Sequence, residues 1–237
     1  MKKYIFFVLI STIVYSQDTQ KNQKLDSLAN IFSLEEVTVN ALRAKDNTPV
    51  PFVNITKNDL EKTNLAQDIP TLLKNLPSVV TTSDSGLGIG YSSIMIRGSD
   101  QTRVNVTING VPYNDSESYM SYWVDLPDFA SSIESIQVQR GVGTSTNGPA
   151  AFGGSINILT NAASEKPSFE INNTLGSFNT VKNSIGFSTG FINDKFEFSG
   201  RLSRIKSDGY IDRSGSKLRS YFLQGIYKDE NTLLKIL

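Results

Sequence analysis

The sequence predicts an α+β fold, short helices on a small mixed sheet, followed by a run of long antiparallel strands. Three observations carry that reading: one segment of helical period, several short β-branched runs bounded by turn residues, and a two-residue alternation that continues through strand after strand beyond Asn161.

The first residues set the compartment. Lys2 and Lys3 precede an apolar run from Ile5 to Val14, and the segment closes on Ser16 before Gln17. This is the pattern of a secretory signal peptide over residues 1–16, cut between Ser16 and Gln17. A membrane-spanning helix needs about 20 apolar residues, roughly twice this run, so the segment is not read as an anchor. Its removal takes Lys2 and Lys3 and no carboxylate, so the balance of 23 basic and 23 acidic residues becomes a net charge of −2. Such a charge does not attract nucleic acid. The chain has no cysteine and no histidine, which excludes a disulfide framework and Ser-His or Cys-His catalysis, and removes the commonest metal ligands. An enzyme is not expected, and no cofactor is implied.

Residues 17–45 are polar and weakly periodic and read as a linker. Within it, Leu34, Glu35, Glu36, Val37, Thr38 and Val39 form a short strand-like run. Pro49 and Pro51 mark the entry into a globular unit placed at residues 46–161. Between Thr56 and Leu76, the apolar residues Leu65, Ile69, Leu72, Leu73 and Leu76 recur at helical spacing, with Asn58 or Thr63 as caps and Pro77 as the stop. Strands are expected at Ser93–Arg97, Arg103–Ile108, Ile133–Arg140 and Gly154–Thr160, with Asn109-Gly110 turning after the second. Gly86, Gly88 and Gly90 read as a flexible loop. In the remaining stretch, residues 162–237, Phe169, Ile171 and Leu175 share one face, as do Val181, Ile185 and Phe187, then Phe196, Phe198 and Leu202. Periodicity alone fits either a barrel wall between lipid and water or a soluble sheet with one wet face.

Ile94-Met95-Ile96-Arg97-Gly98, then Val106 to Pro112, then Ile133 to Gly143, then Gly148 to Ile158 are ordered blocks. Together they resemble the plug domain of TonB-dependent outer-membrane receptors. The glycine-rich block does not suit a nucleotide: no Lys-Ser or Lys-Thr follows Gly148, and Gly141, Gly143 and Thr146 break the dinucleotide spacing. The resemblance implies a plug followed by the first antiparallel strands of a transmembrane β-barrel, in the outer membrane of a Gram-negative bacterium. Such a barrel has 22 strands in this family, whereas the residues beyond Asn161 suffice for about four at roughly 10 residues each plus turns. The chain is therefore expected to be truncated.

The resemblance also implies roles. Leu34–Val39 sits where the family places the TonB box, gripped by the periplasmic C-terminal domain of the TonB energy-coupling protein through strand addition; its composition equally suits a first strand of the domain. Arg97 and Arg140 resemble the plug arginines that pair with barrel carboxylates, a role for which a bidentate guanidinium is suited. Ligand contact is implied for three loops, with Tyr91 and Ser92 in the first, Asp100 and Gln101 in the second, and Tyr113, Asn114, Asp115, Glu117, Tyr119, Tyr122 and Trp123 in the third; Trp123, with Leu126, equally suits the interior of the plug. Asp115 and Glu117 lack the spacing of a calcium loop. The implied partners are TonB, outer-membrane lipid and a small-molecule ligand of the iron-chelate kind. The implied activity is energy-coupled uptake, against the alternative of an exported soluble binding or signalling module.

Overall fold

The computed structural model describes residues 43–143, 151–229 and 232–237. The signal segment with its cut at Ser16 and Gln17, the linker as far as residue 42, the Leu34–Val39 run and the Gly148-Pro149-Ala150 part of the glycine-rich block lie outside the described residues.

Seven strands build the mixed unit: β1 (Phe52–Thr56), β2 (Val79–Ser83), β3 (Ser92–Ile96), β4 (Val104–Ile108), β5 (Val111–Pro112), β6 (Ile133–Arg140) and β7 (Gly154–Thr160). β2 and β3 form a hairpin, and the others form a sheet in the order β1-β6-β7-β4-β5. β4 runs parallel to β7 and the remaining neighbours are antiparallel. Alternation gives this sheet two different faces. Val104, Val106, Ile136, Val138, Ile156 and Ile158 enter one core with Leu60, Leu73, Ile94, Ile96, Trp123 and Phe129. The opposite face carries Asn105, Thr107, Gln137, Gln139, Ser155 and Asn157, all buried. Buried polar groups need partners, and Thr107 Oγ1 donates to Asn157 Oδ1 at 2.8 Å while Gln139 Nε2 donates to Gln137 Oε1 at 2.9 Å. The chain enters across this face: Ala44 N donates to Gln137 Oε1 at 2.7 Å, and Arg43 Nη2 donates to the carbonyls of Ser135 and Asn157. Burial pushes the Arg43 guanidinium down to about 10.

The single helix expected over Thr56–Leu76 is two helices, α1 (Lys57–Thr63) and α2 (Ile69–Leu72). Thr56 and Asp59 form a capping box at the start of α1. The break has a cause within the sequence: Pro70 has no N–H and would clash with the carbonyl four residues back, so it is tolerated only in a first turn. It occupies the start of α2, and the connecting Ala66 adopts φ 123°.

Five further strands, β8 (Ser168–Gly176), β9 (Thr180–Ser188), β10 (Phe196–Ser207), β11 (Ser216–Asp229) and β12 (Thr232–Ile236), form an antiparallel sheet in sequence order. This is one strand more than expected, because β12 fits into the last residues. The sheet is a wall with its polarity inverted. Phe169, Ile171, Leu175, Ile185, Phe187, Phe198, Leu202, Tyr221 and Leu223 are exposed, while Thr180, Lys182, Ser184, Glu197, Arg201, Ser203, Ser207 and Gln224 are buried. Aromatic pairs lie at both ends, Phe178 on Tyr210 at 5.5 Å and Phe196 on Tyr227 at 5.0 Å.

Candidate functional site

The mixed unit meets the inner face of the wall at a buried charge cluster. Asp128 has φ 54° at the start of the 3-10 turn Phe129–Ser132, which leads directly into β6. Its carboxylate is paired with Lys182 of β9 and with Arg201 Nη1 of β10, the latter at 2.8 Å. Ser131 Oγ also donates to Oδ1 at 2.6 Å, and Ser203 Oγ donates to Oδ2. Each carboxylate oxygen therefore has two donors. The cations are satisfied as well: Arg201 Nε donates to Ser132 Oγ at 2.8 Å, and Lys182 Nζ donates to Asn64 Oδ1 at 3.3 Å. Burial alone raises the Asp128 carboxyl, but the charges of Arg201 and Lys182 and the hydrogen bonds from Lys182 and Ser131 outweigh it and hold the group below the usual carboxylate range. Asp128 is thus an anion between two cations, at the boundary of two sheets.

A second contact joins the glycine loop to the β10–β11 connection. The backbone N–H groups of Tyr210 and Ile211 donate to the Ser85 carbonyl, at 2.9 and 3.4 Å. Behind it, Ala66, Ile89 and Ile205 form a small apolar cluster. The loop expected to be flexible is pinned: Asp68 N donates to Gly88 O at 2.7 Å, and Gly88 N donates to Ser83 Oγ at 2.9 Å. Its glycines serve close approach, since a Cβ on Gly88 would lie 2.2 Å from Thr71 Oγ1. At a third contact, Thr160 Oγ1 donates to Gln224 Oε1 at 3.2 Å.

The structure brings the two arginine motifs together. Arg97, exposed with φ 51°, lays its guanidinium where a Cβ on Gly141 would lie 2.6 Å from Nη1. Arg140 is half-buried, and its Nε is without a hydrogen-bond partner. Neither is in a salt bridge among the described residues.

The loop residues divide by environment. Tyr91, Tyr119 and Tyr122 are exposed, as are Asp100 and Glu117. Ser92 donates to Asp68, Asp100 caps Thr102, and Gln101 is half-buried. Asn114 braces its own loop, accepting from Val106 N and donating to Val104 O, while Asp115 accepts from Ser118 N at 2.7 Å. Tyr113 donates its hydroxyl to Tyr122 O, and burial, aided by Asp125, pushes its phenol up to about 12. Trp123 is a correction: at 1% exposure it belongs to the hydrophobic core, because the 3-10 turn Trp123–Asp125 directs it inward, and it is not a loop-surface residue. Asp128, Lys182 and Arg201 were not singled out from the sequence. The available signal was a lysine and an arginine at positions of the second sheet where small polar residues alternate with apolar ones.

The model of the TonB-dependent receptor plug domain matches residues 44–155. The vitamin B12 transporter BtuB of Vibrio cholerae is 29% identical over 84% of this chain and 32% of its own length. A probable TonB-dependent siderophore receptor of Acinetobacter baumannii, PirA, is 31% identical over 61% of this chain and 20% of its own. The pyoverdine outer membrane receptor FpvA of Pseudomonas aeruginosa shares the fold, with a TM-score of 0.63 and 14% identity over 79% of this chain and 27% of that one. The chain spans a third or less of the length of these relatives. With a matching segment docked on the polar face of strands that are apolar outside, the chain carries the plug domain of TonB-dependent receptors over residues 44–155, followed by strands arranged as in part of that fold's β-barrel.

Proposed function

We propose that this chain serves in the energy-coupled uptake of an iron–siderophore type complex across the outer membrane. The observation that carries the reading is the plug seated on the inner face of a wall that presents apolar side chains outward. In this reading residues 17–45 form the linker and residues 46–161 the plug, with barrel strands following over residues 162–237. Leu34–Val39 is the segment gripped by TonB, adding as a strand to the partner's sheet edge. Arg97 and Arg140, whose motifs meet at Gly141, pair with carboxylates of the barrel. Exposed Tyr91, Tyr119 and Tyr122 offer aromatic faces with a polar tip to the ligand.

The siderophore reading draws support from PirA and FpvA, named as a siderophore and a pyoverdine receptor. BtuB, named as a vitamin B12 transporter, favours cobalamin as the second reading. Growth of a deletion strain on iron chelates, with cyanocobalamin as the parallel substrate, separates them. Iron-chelate uptake is expected to fall by about ten-fold or more on deletion of Leu34–Val39, with ligand still bound at the cell surface. Uptake that persists without TonB or a proton gradient would sink the reading.

A further inference from the structure

We propose that Asp128, Lys182 and Arg201 form the fixed pivot of the plug, the last contact with the wall to open, whereas the contact between the glycine loop and the β10–β11 connection opens first. The proposal rests on the uptake reading for its biological meaning, but its structural claim can be measured without transport.

Three observations point to the pivot. The side chains of Asp128, Lys182 and Arg201 are 0%, 3% and 8% exposed, so separation would break two buried ion pairs that share one carboxylate. Exposed pairs carry no such penalty. The two cations stand on adjacent strands, where Lys182 pairs with Ile205 and Arg201 with Gly186, so one plug carboxylate ties β9 to β10. Lastly, Asp128 begins the turn that feeds β6, a strand flanked on both sides by partners, and the neighbouring Phe129 packs edge-on against Phe222 of β11 at 5.9 Å. The node is thereby fastened to the interior of the plug sheet.

The loop contact is made differently. Two backbone N–H groups meet one carbonyl, that of Ser85, over the apolar cluster of Ala66, Ile89 and Ile205. Water can replace those bonds with little loss, since the net worth of a neutral hydrogen bond is small. Opening there strands no charge.

These 237 residues hold no cysteine, so in a background with any cysteine elsewhere replaced by serine a single introduced thiol reports one place. Ala66 and Ala130 are both buried, at 1% and 5% exposure, the first at the loop contact and the second beside the node. In the full-length receptor, purified in detergent, Ala66→Cys is expected to react with a maleimide about ten-fold faster than Ala130→Cys under native conditions. Equal rates, or faster reaction at position 130, would overturn the order of opening. A second measurement covers the case in which a thiol disturbs its site. Asp128→Asn leaves two buried cations unpaired and is expected to make the outer membrane leaky to vancomycin. The triple variant Asp128→Asn, Lys182→Met, Arg201→Met removes the stranded charges and is expected to reseal it by most of the difference. A tight membrane with Asp128→Asn would show that the node does not hold the plug. Loss of TonB dependence in uptake, with both results intact, would instead count against the uptake reading alone.

Discussion

Asp68 is buried and, among the described residues, forms no salt bridge, in contrast to Asp128. Its carboxylate accepts from Ser92 Oγ at 3.0 Å and from the backbone of Gly90, and burial still pushes it up to about 7. The folded state therefore holds this proton more tightly than the unfolded chain, whose carboxyl titrates near 3.8. Linkage then makes stability fall as the pH rises from the lower value to the higher, and level off above it. Asp68→Asn keeps an acceptor for Ser92 without the charge. It is expected to be more stable than the parent above pH 7, by at most about 1.4 kcal/mol for each pH unit separating the two titration points, and to have no such advantage below pH 4. Urea midpoints of the detergent-solubilised receptor at pH 4 and pH 8 check this, and an equal gain at both would remove the titration from the explanation. Neither acid was legible as buried in the sequence. Asp128 and Arg201 are 73 residues apart, and nothing local to either names the other.

At the scale of elements, legibility followed the source of each signal. Strands that alternate apolar with polar residues were readable nearly to the residue, as with Ile133–Arg140 and Gly154–Thr160, although their polar faces are buried too and no water lies there to explain the pattern. The helix over Thr56–Leu76 was not, because its apolar spacing outweighed the one proline that divides it. The glycine loop is not legible for a related reason: glycine permits a mobile loop and a tightly packed one alike, and only the neighbours decide. Gly88 and Gly98 separate those cases, since both have φ +75°, yet a Cβ on Gly88 strikes Thr71 and one on Gly98 meets nothing within 4 Å. Gly98→Ala should cost about 1–2 kcal/mol from backbone conformation alone. Gly88→Ala should cost about 1–3 kcal/mol more, from overpacking against α2. Thermal unfolding of the two variants gives the comparison, and equal losses would mean that the loop yields without resistance from Thr71.

For the molecule as a whole, the sequence left two environments open for β8 to β12, lipid or water on the apolar face, because both produce the same alternation. The structure places side chains such as Leu175 and Leu223 outward, at 81% and 60% exposure, and turns Lys182, Glu197, Arg201 and the hydroxyls of Ser184, Ser203 and Ser207 inward, while the outward Arg204, Lys206, Lys217 and Arg219 gather at one end of β10 and β11. In water this would be an exposed apolar surface far beyond what a soluble monomer carries. In lipid it is the low-energy arrangement, and the cost of an outward charge then depends on depth. Leu223 lies in the middle of β11, between the outward Tyr221 and Gly225 and opposite Gly200, whereas Leu175 stands one residue from the end of β8, in the row that runs through Val181 to Lys206. Leu223→Lys is therefore expected to destabilise the folded barrel by about 2–4 kcal/mol and Leu175→Lys by about 0–1 kcal/mol. Urea unfolding of the full-length receptor in phospholipid vesicles measures both. A soluble sheet would tolerate lysine equally at the two positions, since an outward lysine reaches water from either, so similar small effects would return the wall to the soluble reading and take the transport function with it.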